Sequence, residues 1–286
     1  MELTTIMGEF LQQLLTWKSI SQMAFFAGII ASLSFGIVGS YVVARRISYI
    51  AAAIAHCVLG GIGAAVFIQH KLGWTWFDPM LGALIAAILA ALIIGVVSLY
   101  LKEREDTIIS ATWSVGMSLG FLFLYFSPNF QGNLESFLMG SILYISPRDL
   151  WITLALGIAV ITLSLLFYNK LLAVCFDGEF AQLRGINTPV YYFMLLILTA
   201  LSVVLLVQLT GVVLAIALIV LPAATGMRFA KRLWHAMIIA IVLAMIFTSL
   251  GLGLSYTLEW PTGPVIVILA ALVYTGTLIG KSFRKA

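Results

Sequence analysis

His56 is the one ionisable side chain of this 286-residue chain that falls clearly inside a long apolar stretch. An ionisable group in hydrocarbon is costly to hold there, which makes it a functional candidate first. A neutral imidazole offers a divalent cation a nitrogen ligand of borderline softness. At 3.6 residues per turn, Ser48, Ala52, His56, Gly60 and Gly63 fall near one stripe. Small residues there let a second helix come close and leave room beside the ring. One histidine does not make a metal site, so from the residues alone a hydrogen bond to a neighbouring helix is the better reading.

The absent chemistry is as informative. All eleven acidic residues (Glu2, Glu9, Asp78, Glu103, Glu105, Asp106, Glu135, Asp149, Asp177, Glu179 and Glu259) lie at the ends of apolar stretches or between them. A carrier driven by protons or sodium usually needs a carboxylate within the membrane. Cys57 and Cys175 are isolated, so the sequence offers no disulfide, no CxxC metal pair and no cluster site. Gly276-Thr-Leu-Ile-Gly280-Lys281-Ser282 imitates a phosphate loop, but three residues separate its glycines where four are needed, and it closes an apolar stretch instead of following a strand. It reads as a Gly-xxx-Gly packing face with a basic flank. Catalytic residues and a bound cofactor are therefore not expected. Any uphill movement of a solute must draw its energy from a partner.

The elements that would position His56 are apolar spans at about 21–43, 48–69, 79–101, 107–127, 149–169, 190–209, 211–227, 234–257 and 262–280, each long enough to cross a hydrocarbon core. The chain is 63% hydrophobic and 9% charged, with mean hydropathy +1.14. The expected fold is all-α, a polytopic transmembrane bundle of eight or nine spans forming one membrane domain over 1–286. Alternate connections hold Arg45, Arg46, Lys102, Arg104, Lys170, Arg184, Arg228, Lys231, Arg232, Lys281, Arg284 and Lys285, against Lys18, Lys71 and Arg148 on the other side. Twelve against three predicts an inner-membrane protein with a cytoplasmic C-terminus. The same distribution explains the pI near 9.1 by topology and argues against a nucleic-acid partner.

Residues 1–18 lack a basic n-region and a small-residue cleavage site, so no cleaved signal is expected. Their apolar positions at helical spacing predict an interfacial helix on the outer surface. Residues 134–145 are too short to cross and predict a re-entrant segment. Pro222 and Gly211 are candidate hinges, and Gly251-Leu-Gly253 also reads as a break. His70 and His235 sit at span ends; the outer one, with Lys71, Trp74, Trp76 and Asp78, reads mainly as an interfacial aromatic anchor.

Between the fifth and sixth spans, 176–186 predicts a short amphipathic helix on the inner surface. Phe176, Phe180, Leu183 and Ile186 share a face, Asp177 and Glu179 suit its N-terminus, and Gly185 its C-cap, with Pro189 opening the next span. The pattern Phe176-Asp177-x-Glu179-x-Ala181-x-x-x-Gly185-Ile186 resembles the coupling segment of the zinc/manganese permeases of metal-ion ABC importers. The resemblance extends through most of the chain in order. It takes in Arg45-Arg46-Ile-Ser-Tyr with Ala55-His56-Cys-Val-Leu-Gly-Gly61, Glu105-Asp106 with Gly116-Met-Ser-Leu-Gly120, Leu138-Met-Gly-Ser-Ile-Leu143, 211–225 around Pro222, and Pro261-Thr-Gly-Pro-Val.

That resemblance implies a type II ABC importer-like fold, a homodimer of permeases, cytoplasmic ATPase subunits that use the ATP, and an extracytoplasmic metal-binding protein. It implies that Phe176, Asp177, Glu179, Phe180, Ala181, Leu183 and Gly185 dock on the ATPase and that His56 lines the metal path. The family carries an Asp-x-x-x-His pair at this point, where this sequence has Ala52. Loss of the carboxylate favours nitrogen ligation and makes zinc the first expectation for the cargo. Manganese, iron or a metal chelate is the alternative within the class, and an ATP-independent channel or carrier is the alternative outside it.

Overall fold

The computed structural model describes residues 20–74, 76–101, 104–127, 147–258 and 260–283, and among them all regular structure is helical. The interfacial helix expected over 1–18 and the re-entrant segment expected over 134–145 lie outside the described residues. Helix α1 is Ile20–Arg45, α2 Ser48–Leu72, and α3 Pro79–Val96, which runs on into a π-helical turn at Val97–Leu101. Next come α4 (Glu105–Tyr125), α5 (Pro147–Leu166), α6 (Tyr168–Phe176) and α7 (Gly178–Leu183). Helices α8 (Thr188–Phe229), α9 (Leu233–Leu258) and α10 (Thr262–Phe283) complete the chain.

Among the described residues eight helical segments, two of them within α8, are long and apolar enough to cross a membrane, and α5 with α6, bent by 72°, makes a ninth candidate. Local chemistry sets their ends. Asp78 accepts the Met80 N–H at 3.0 Å with Pro79 opening α3, and Gly73 takes φ 69 where α2 stops. The span expected over 149–169 breaks at Phe167, and Tyr168–Phe176 is helical where a connection was expected. The expected break at Gly251-Leu-Gly253 is absent. Helix α9 runs through it, and Gly251 lies against Ile266 of α10, so this glycine serves close helix approach.

Helix α8 is the hub, packed on α1, α2, α3, α9 and α10. Drawn straight, its 42 residues would extend about 63 Å, twice a hydrocarbon core. Its two ends nevertheless lie together. Thr188 donates to the Gly178 carbonyl at 3.1 Å, and the residues flanking Gly178 share a cleft with Lys231–Trp234, just past the other end. The helix therefore doubles back, and the reversal is at Gly211, whose φ 79 and ψ 168 fall in a region that essentially only glycine enters. Thr188–Val207 and Thr210–Phe229 are separate spans, as the apolar runs 190–209 and 211–227 predict. Of the two candidate hinges, Gly211 carries the break in the backbone, while buried Pro222 sits within uninterrupted helix.

Contacts at one end of the bundle collect the basic connections. The Arg45 guanidinium lies 5.8 Å from the Tyr192 ring, Tyr192 meets Ser98 at 3.3 Å, and Lys170 sits 5.2 Å from the Tyr191 ring. The Arg228 guanidinium stands over Tyr274 of α10 at 6.0 Å. In the phosphate-loop imitation, Gly276 and Gly280 are helical and face nothing within 4 Å, so the packing face expected there has no partner within the described chain.

Candidate translocation path and coupling surface

His56 projects from α2 at its seam with α4. Its Nδ1–H donates to the Ala52 carbonyl at 2.8 Å, one turn back on its own helix. With the proton on Nδ1, the lone pair is on Nε2, and Nε2 has no hydrogen-bond partner among the described residues. One face of the ring stacks on Trp113 of α4, centroids 4.2 Å apart and planes 28° off parallel.

Glycines decide how closely the two helices approach. A Cβ on Gly60 would lie 2.6 Å from the Gly116 carbonyl oxygen, and one on Gly63 2.7 Å from that of Gly120. The pairs His56–Trp113, Gly60–Gly116, Gly63–Gly120 and Phe67–Phe123 rise together in number, so α2 and α4 run parallel, as alternate spans must. The small residues beside His56 thus admit the close helix approach expected of them, with the α4 backbone against Gly60 and Gly63 and the Trp113 indole taking the room beside the ring. The sequence reading missed Trp113, although it lies three and seven residues before Gly116 and Gly120 and so shares their helical face.

Among the described residues, no group of three His, Cys, Asp or Glu side chains comes together. Within one chain His56 offers a single nitrogen, and position 52, one turn before it on α2, is alanine. His235 packs against Trp234 with ring centres 3.6 Å apart, while His70 is exposed in the last turn of α2. Trp74 and Trp76 stack at 5.7 Å, and Asp78 is committed to its cap.

The segment 176–186 folds more tightly than expected. Asp177 is extended (φ −150, ψ 96) and its Oδ1 accepts the Phe180 N–H at 2.9 Å, which stops α6 at Phe176 and starts α7 at Gly178. Phe176 therefore belongs to α6 and does not share a helix with Phe180 and Leu183. The other end closes through Gly185 at φ 79, with the Ile186 N–H donating to the Ala181 carbonyl at 3.0 Å and Gly185 N–H to that of Gln182 at 2.9 Å. Ala181 is buried, so its methyl seats the helix, whereas Leu183 is 87% exposed and Phe180 and Phe176 are more than half exposed. The Arg184 guanidinium covers one face of Phe180 at 4.9 Å. Beside them a cleft of about 570 Å³ runs between Tyr168–Phe180 and Lys231–Trp234.

Known proteins similar to this chain share its length as well as its pattern. A family model described as the ABC 3 transport family matches residues 18–281. A "Probable metal transport system membrane protein" of Chlamydia pneumoniae is 38% identical over 257 residues, covering 90% of this chain and 87% of that protein. The "Manganese transport system membrane protein MntC" of Halalkalibacterium halodurans is 31% identical over 265 residues, covering 93% and 88%. Among solved structures, "PsaBC from Streptococcus pneumoniae in complex with Fab" superposes with a TM-score of 0.82 at 28% identity, covering 94% of each chain.

Proposed function

This chain belongs to the ABC 3 transport family, and from that premise we propose that it is the membrane permease subunit of an ATP-driven importer of divalent metal ions. The observation that carries the reading is α7, a capped six-residue helix at the basic end of the bundle that buries Ala181 and leaves Phe180 and Leu183 uncovered. Apolar side chains grouped this way outside the spans mark a contact surface, here read as one for a protein partner. In this reading they and Phe176, Asp177, Glu179 and Gly185 meet a cytoplasmic ATPase, which supplies the energy that this chain has no site to generate. Two permease copies face one another in the bacterial inner membrane, with the basic end and the C-terminus cytoplasmic. An extracytoplasmic metal-binding protein delivers the ion to the opposite end.

ATP-driven closure of the ATPases pushes on α7, and the adjoining α6 and α8 carry that displacement into the bundle core. The two bundles rock, with Gly211 and Pro222 as candidate hinges, and a path touching His56 opens to each side in turn. Metal meets the unprotonated Nε2 of His56 and leaves readily because one nitrogen holds it weakly. The name of the Halalkalibacterium halodurans relative favours manganese as cargo. Zinc is the second reading, on a specific observation: Ala52 provides no carboxylate, and His56 offers nitrogen only, a donor better suited to zinc.

The test is uptake of manganese and zinc into proteoliposomes, with and without the ATPase subunit. Uptake should require the ATPase and fall when Leu183→Asp charges the exposed apolar face of α7. Accumulation against a gradient by the permease alone would replace this reading with an unassisted carrier.

A further inference from the structure

We propose that Trp113 is a positioning residue for His56, fixing the imidazole so that Nε2 alone is presented to a passing cation. This rests on the reading that places His56 on the metal path. Two contacts immobilise the ring from different directions. The Ala52 carbonyl takes the Nδ1 proton at 2.8 Å, and the Trp113 indole lies across a face at 4.2 Å. The first sets the tautomer, because a ring that gives its Nδ1 proton to a carbonyl keeps its lone pair on Nε2. That bond alone leaves the ring free to swing about it. The stack removes the swing.

Trp113 is itself held to a narrow place. The α4 backbone reaches α2 through Gly116 and Gly120 on Gly60 and Gly63, so the turn of α4 that carries the indole is held against α2. The Cys57 Sγ–H donating to the Thr112 carbonyl at 3.2 Å pins the same turn of α4. With no group of three His, Cys, Asp or Glu side chains gathered among the described residues, the direction of the His56 lone pair is what this chain contributes to selecting an ion. A ring locked by a neighbouring helix also makes that contribution depend on the register between α2 and α4.

The experiment measures manganese and zinc uptake by the complete permease–ATPase complex carrying Trp113→Phe, Trp113→Leu, His56→Ala, or Trp113→Leu with His56→Ala. Only variants that still assemble with the ATPase and elute as wild type are compared. Trp113→Phe keeps an aromatic face and should retain wild-type KM values. Trp113→Leu should raise the KM for metal by roughly three- to tenfold, the scale of one lost stack, and change the zinc-to-manganese ratio. The double variant should be no worse than His56→Ala.

Overturning results are equally plain. Trp113→Leu lowering the maximal rate for both ions alike with KM unchanged would make the indole a packing residue only. Additive losses in the double variant would mean that it acts elsewhere. A fully active His56→Ala would remove His56 from the path, an outcome that strikes the parent reading and is recognised by that single variant.

Discussion

On the path proposed for His56 the question is which donor a passing ion would meet, and there the alanine at position 52 matters as much as the histidine. The Ala52 backbone carbonyl accepts the Nδ1 proton, and its methyl side chain carries no donor for an ion. Restoring a carboxylate one turn before the ring, by Ala52→Asp, adds a hard oxygen on the same face of α2. The expected outcome is a shift of uptake towards manganese over zinc, by roughly tenfold if a ligating or supporting group tunes affinity here as it does elsewhere. Competition between the two ions in one proteoliposome assay checks this, and an unchanged ratio would place the ion out of reach of position 52. His56 was legible in the sequence because a lone ionisable group in an apolar run needs no partner to be noticed. Trp113 was not, because its meaning depends on the register between α2 and α4. The glycines that set that register, Gly60, Gly63, Gly116 and Gly120, were visible as small residues with no sign of what they faced.

At the scale of elements, the spans follow from composition alone: runs of about twenty apolar residues have one stable backbone in hydrocarbon, since each N–H must bond within its own segment. Short elements depend on single side chains, and there the sequence was less decisive. Whether 176–186 makes one helix or two turns on Asp177, which serves either as first-turn acid or as cap, and the structure uses it as the cap. This separates two roles that one residue combines. Asp177→Ala should lose the cap and cost α7 about 1 kcal/mol, whereas Asp177→Asn removes the charge and keeps an acceptor for the Phe180 N–H. If the shape of α7 is what the ATPase recognises, permease-stimulated ATP hydrolysis should fall for Asp177→Ala and persist for Asp177→Asn. Equal loss in both would assign the role to the charge. The bend at Phe167 belongs to the same class. No proline or glycine marks it, and the aromatic contact of Phe167 with Tyr191, centroids 5.9 Å apart, forms only once α8 is in place.

For the molecule as a whole, the reversal of α8 at Gly211 is what makes the charge pattern consistent. Were the 42 residues one straight helix, the connections bearing Arg184 and Lys231 would be carried to opposite ends; folded back, Lys231 shares a cleft with Asp177 and with Phe180 of α7, the helix that Arg184 ends. The positive-inside reading and the backbone at a single glycine are therefore two statements of one topology, and they are tested together. Both native cysteines are buried, which leaves a quiet background for labelling with a membrane-impermeant maleimide. Leu183→Cys and Lys231→Cys, at exposed positions on either side of α8, should react only when the reagent reaches the cytoplasmic face. Trp76→Cys, exposed in the connection between α2 and α3, should react only from the opposite face. Leu183→Cys and Lys231→Cys labelling from different sides would break the hairpin at Gly211. Both labelling from outside, with Trp76→Cys from within, would keep the fold and invert it, so that α7 faced away from any source of ATP.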